Sequence, residues 1–100
     1  MPSMAFEIRL REEAVIEIEE ALEYYLQISP QTAFSFDEDL DNSFLTLKQN
    51  PYFEERINDY RVLPLHKFPY IIIFSVIEED NIIDILSIFH TSQDPDKYPQ

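Results

Sequence analysis

The sequence predicts an α+β fold: an N-terminal strand, an antiparallel helical hairpin, then three antiparallel strands, with all strands in one four-stranded sheet. Three observations carry this. Apolar residues alternate over 5–10, recur at steps of three and four over 12–49, and return as β-branched and aromatic runs between 61 and 89. Turn-forming pairs stand at the joins: Ser29-Pro30, Asn50-Pro51 and Asp80-Asn81. The 100 residues suffice for one hydrophobic core. Residues 1–100 therefore read as a single domain, with 1–4 and 91–100 as tails.

Over 5–10, Phe6, Ile8 and Leu10 share one face and Glu7 and Arg9 the other, which describes a short strand buried on one side. Over 12–28, Ala14, Ile18, Ala21, Leu22, Tyr25 and Ile28 form a helical stripe, and the glutamates between them read as a solvated face. Glu12 and Glu13 suit the positive end of the helix dipole, although no Ser, Thr, Asp or Asn stands ready as its cap. Ser29 can cap a second helix, with Pro30 at its first position, where a missing N–H leaves no bond unmade. That helix runs to about Gln49 on a stripe of Ala33, Phe36, Leu40, Phe44 and Leu47, and Asn50-Pro51 ends it. Residues 61–65 form a strand that Pro64 confines to an edge or an irregular position. Residues 70–77 are apolar on both faces, as in a central strand. Glu78 to Asn81 form a turn, with Asp80 or Asn81 available for positive φ, and 82–89 pairs back.

Composition excludes several functions. Seven basic residues face 20 acidic ones, for a net charge of −13. Neither half is basic, which opposes binding to a nucleic-acid backbone or to anionic lipid. The chain has no cysteine and no glycine, so thiol chemistry, zinc–thiolate sites and glycine-rich phosphate loops are all absent. No apolar run reaches the roughly 20 residues of a membrane span. Met-Pro-Ser-Met has neither the basic segment nor the apolar core of a secretory signal. A cytoplasmic protein is expected, with no cofactor. His66 and His90 have no metal-ligand spacing with neighbouring acids, so no metal site is expected.

One ordered pattern spans most of the chain. It begins Ala14-x-x-Glu17-Ile18-x-x-Ala21-x-x-Tyr24-Tyr25, then Ser29, Ala33, Phe36, Leu40, Leu47 and Asn50-Pro51. It continues with Arg61, Phe68-Pro69-Tyr70, Ile82 to Ile88, His90 and Asp94-Pro95. This set resembles the RelE/ParE toxin superfamily from about Phe6 to Tyr98, and more its ParE (plasmid stabilisation) branch. The resemblance implies the same fold and the role of toxin in a type II toxin–antitoxin pair, held inactive by a cognate antitoxin. The ParE branch is associated with inhibition of DNA gyrase and with no chemical step of its own. The RelE branch cleaves mRNA on the ribosome with Lys/Arg residues and a C-terminal Tyr or His.

Here Gln93 stands where relatives commonly carry Arg, and Tyr98 holds the place of the terminal aromatic, often Trp. The uncharged Gln93 and the total of seven basic residues favour a binding protein over an enzyme. The alternatives are a RelE-like ribonuclease using Arg61, Lys67, His90 and Tyr98, or a non-toxic member retained for binding.

Each candidate has a plainer reading. Arg56, Arg61, His66 and Lys67 make either a cationic patch across the sheet or scattered partners for the surplus acids. His90 is either a general acid or base, or a ring that orders the tail. Tyr24, Tyr25, Phe68 and Tyr70 fit the core. The glutamates of the first helix could also steer a cationic antitoxin segment. The hairpin could form an antitoxin groove or a homodimer face.

Overall fold

The structure is a computed structural model that describes residues 6–52, 56–57 and 60–92, the side chains of 56 and 57 excepted. Its elements are β1 (Glu7–Leu10), α1 (Glu12–Ile28), α2 (Pro30–Gln49), β2 (Arg56–Ile57), β3 (Tyr60–Pro64), β4 (Tyr70–Ile77), a 3-10 turn (Glu78–Asp80) and β5 (Ile82–His90). One sheet has the order β1-β5-β4-β3-β2. The helical hairpin covers one face of it.

The local chemistry acts where expected. Arg11 precedes α1 without a side-chain cap. The Ser29 hydroxyl accepts the Thr32 N–H at 3.0 Å and starts α2, with Pro30 in its first turn. Asn81 takes up the left-handed conformation, at φ 54°, that turns the chain from β4 into β5. Pro64 is the last residue of β3, beyond the part that β2 pairs with.

The core between hairpin and sheet holds Ala14, Ala21 and Tyr25 of α1, Phe36, Leu40 and Leu47 of α2, and Ile72, Phe74, Ile83, Ile85 and Ile88 of the sheet. A second, smaller cluster of Val62, Ile71, Ile73 and Phe89 lies on the opposite face. β4 is therefore buried on both sides, which explains its unbroken apolar sequence.

Three details depart from the sequence reading. The sheet is mixed: β1 runs parallel to β5, while the other pairs are antiparallel. Alternation fixes which face a strand buries, but not the direction of its neighbour. The two-residue β2 adds a further edge. Ile28, the last residue of α1, is 59% exposed and lies outside the buried stripe.

β4 and β5 also slip register. Ile73 faces Ser87 while Phe74 faces Ile85, so Leu86 is an extra residue, as in a β-bulge. That slip places the next feature.

Candidate functional site

Three buried or half-buried carboxylates tie the layers together. Glu17 of α1 accepts the Ser87 hydroxyl at 2.9 Å and the Ile88 N–H at 2.9 Å, just past the bulge. Burial pushes its carboxyl above the usual range, against the pull of those two donors. Asp39 of α2 accepts the backbone N–H groups of His66 and Lys67, at 3.3 and 2.8 Å, and so holds the turn that enters β4. Asp84 of β5 is buried and receives the Arg11 guanidinium in a forked contact.

The sequence reading placed Glu17 on the solvated face of α1. In the structure it stands half-buried at the flank of the buried stripe, three residues after Ala14 and four before Ala21. Asp39 and Ser43 likewise follow Phe36 at three and seven residues, which puts them on the buried side of α2. That spacing is the signal that could have identified all three.

Above Glu17, the seam between α1 and the ends of β4 and β5 opens into a cleft of about 170 Å³. Glu17, Glu20, Ala21, Tyr24, Tyr70, Ile88 and His90 line it. Through Tyr70 the cleft adjoins a cluster of rings. Tyr25 stands 5.3 Å from Phe36 and 5.0 Å from Phe68, between ring centres, and Tyr70 stands edge-on to His90 at 4.9 Å. The Tyr25 and Tyr70 rings stand edge-on to each other, 6.3 Å between centres. Burial, then proximity to Tyr25, pushes Tyr70 up to about 12, so neither hydroxyl ionises near neutral pH.

Tyr25, Phe68 and Tyr70 thus act in the core as expected. Tyr24 does not: it is 58% exposed, one residue off the stripe, with its ring edge-on to Tyr25.

Of the candidates Arg61, Lys67, His90 and Tyr98, the first three lie among the described residues, and Arg61 stands apart from the other two. His90 lies opposite Tyr70 at the end of β5, and its Nδ1 accepts the Ser92 N–H at 3.1 Å. Lys67 is exposed in the turn before β4, toward the same end of the sheet. Arg61 lies opposite Phe74, four residues along β4 from Tyr70 and so about 13 Å away along the strand. Its guanidinium sits 5.5 Å over the Tyr52 ring. Tyr98, Gln93, Asp94 and Pro95 lie outside the described residues, as does the side chain of Arg56. Among the described residues, no three His, Asp or Glu side chains are placed to hold a metal ion, and no helix is long and apolar enough to cross a membrane.

A helical hairpin on one face of a small mixed sheet is the fold of toxins from bacterial toxin–antitoxin pairs. The structure matches a chain of the chromosomal ParDE toxin–antitoxin system of P. aeruginosa with a TM-score of 0.73 at 20% identity, covering 90% of this chain and 100% of that one. It matches a chain of the intact E. coli RelBE complex with a TM-score of 0.61 at 15% identity, covering 89% and 100%. The isolated E. coli RelE toxin gives 0.59 at 15%, covering 90% and 88%. At these identities the likeness speaks for the fold alone.

The sequence identifies the family. Residues 8–95 match the model of the ParE toxin of the type II toxin–antitoxin system parDE, and the chain belongs to that family. No curated protein matches it in sequence.

Proposed function

We propose that this protein is the toxin of a type II toxin–antitoxin pair, that it acts by binding a macromolecular target, and that a cognate antitoxin neutralises it. Family membership supports the role. The mode rests on one observation: the seam cleft is lined by Glu17 and Glu20, while Arg61 is held far along the strand, over Tyr52. Phosphoryl transfer needs convergent positive charge on the phosphate, and carboxylates repel it. A protein surface is the better fit for such a site, with DNA gyrase in the cytoplasm as the first target to try.

Inducible expression of the chain in a bacterial host tests this, with and without the product of the adjacent gene. Growth arrest that the neighbour relieves, together with loss of gyrase supercoiling by the purified chain, is expected. Unimpaired growth and no binding to the neighbour would overturn the proposal.

A ribonuclease reading, with Arg61, Lys67, His90 and Tyr98, draws on His90 and Lys67 sharing one end of the sheet. It predicts cleaved mRNA on translating ribosomes, lost in Arg61→Ala and His90→Ala. A chain that binds the neighbour without arresting growth would be a member retained for binding.

A further inference from the structure

The toxin–antitoxin reading leaves the chemistry of the antitoxin open, and the outer side of α1 speaks to it. Glu17, Glu20, Tyr24 and Gln27 recur at steps of three and four and share one side of the helix. The first three line the seam cleft. Glu20, Tyr24 and Gln27 line an adjoining groove together with Glu23. Glu20 and Tyr24 belong to both, so the two form one trough along α1, ending against Tyr70, Ile88 and His90.

Among the described residues, neither Lys nor Arg lines it. Glu17 is tied to Ser87 and Ile88, and its carboxylate is raised further by the charges of Glu13 and Glu20. Among the described residues no hydrogen bond or ion pair engages Glu20 or Glu23, and Tyr24 presents an exposed ring steadied by Tyr25. Like charges spaced this way on a helix repel one another, and a cation in the trough removes that repulsion.

We propose that the trough along α1 receives an arginine side chain from a basic segment of the antitoxin. This rests on the toxin–antitoxin reading and gives the inhibitory segment its chemistry. A guanidinium meets both features at once: it stacks on an aromatic ring and forks onto a carboxylate. Lysine offers a point charge that matches the ring and the carboxylate pair less well. No metal-holding trio competes among the described residues. The chain's charge of −13 favours the approach of a basic partner from a distance.

Titration of the isotopically labelled full chain with nona-arginine and nona-lysine peptides tests the proposal by NMR. Saturable shifts at Glu20, Tyr24, Ile88 and His90 are expected, with tighter binding of the arginine peptide. Tyr24→Ala should weaken it by about five-fold, the scale of a cation–π contact. The pair Glu20→Gln and Glu23→Gln should weaken it at least as much. Glu38→Gln with Asp41→Asn removes the same charge from the outer side of α2, and should change affinity less than two-fold.

Equal affinity for the two peptides, no effect of Tyr24→Ala, or an equal loss in the α2 control would each overturn the trough. A growth assay separates the two readings. Wild-type chain that never arrests growth defeats the toxin reading. Arrest that the neighbouring product relieves equally well for wild type and Tyr24→Ala keeps the toxin reading and defeats the trough.

Discussion

Arg11 closes on Asp84 from 73 positions away, with its Nη2 at 2.7 Å and its Nε at 3.0 Å from the same carboxylate oxygen. Asp84 is buried near the start of β5, and the Arg11 contact raises the guanidinium's own affinity for its proton. Removing one partner of such a pair strands the other, whereas removing both need not. Arg11→Met should therefore lower the thermal midpoint, and adding Asp84→Asn should recover much of the loss. Thermal unfolding of the two single variants and the double variant checks this: additive losses would mean the pair is not coupled.

Asp39 serves the turn before β4 rather than its own helix. Asp39→Ala leaves the N–H groups of His66 and Lys67 without their acceptor and should cost about 1–3 kcal/mol. Asp39→Asn keeps one acceptor oxygen and should cost less. Urea unfolding measures both, and hydrogen exchange at His66 and Lys67 should speed up locally.

Glu17 gives the stability a pH slope of known sign. Its folded carboxyl is raised, chiefly by burial, so the folded state holds this proton more tightly than the unfolded chain does. The contribution is fully present below the unfolded value of about 4.3 and is lost as pH rises through the higher folded value. Glu17→Gln should flatten that part of the profile while its amide oxygen still accepts from Ile88. Denaturant midpoints measured from pH 4 to 7 decide it, and an unchanged slope would contradict the assignment.

Two phenylalanines of α2, two residues apart, should behave oppositely. Phe36 is fully buried against Tyr25, Phe68 and Tyr70, and Phe36→Ala should cost about 3–5 kcal/mol. Phe34 is 64% exposed, and Phe34→Ala should stay within about 0.5 kcal/mol of the parent. The same urea melts compare them.

Asn81 carries the left-handed turn in a chain without glycine. Asn81→Ala should destabilise by about 1–2 kcal/mol, the strain of placing a Cβ there. Asn81→Gly should be nearly neutral.

The sequence was most informative where one residue's chemistry decides the outcome. The spans of both helices, the Ser29 cap and a left-handed turn at Asp80 or Asn81, taken by Asn81, follow from capping, proline and φ preferences local to a few residues. The direction of β1 was not legible, because alternation in Phe6, Ile8 and Leu10 is the same in a parallel or an antiparallel pair. Nor were the roles of Glu17 and Asp39, whose partners lie 71 and 28 positions away. The charge of Glu17 suggested solvent, and only the spacing of the two residues hinted at their roles. The family was legible from ordered motifs. The dispersal of Arg61 and His90 was not, since strand register separates residues that share a motif.

The parallel pairing of β1 with β5 has a consequence for synthesis on the ribosome. β1 leaves the exit tunnel long before β5 and must wait for it, because Glu7 to Leu10 register with Ile82 to Ile85. The hairpin can form early from contacts near in sequence, but its apolar side stays uncovered until β4 and β5 arrive. Contacts between distant parts of a chain form slowly. Nascent copies therefore spend their elongation time in a form that lacks the finished sheet, and a chain cut short before Ile82 never acquires it.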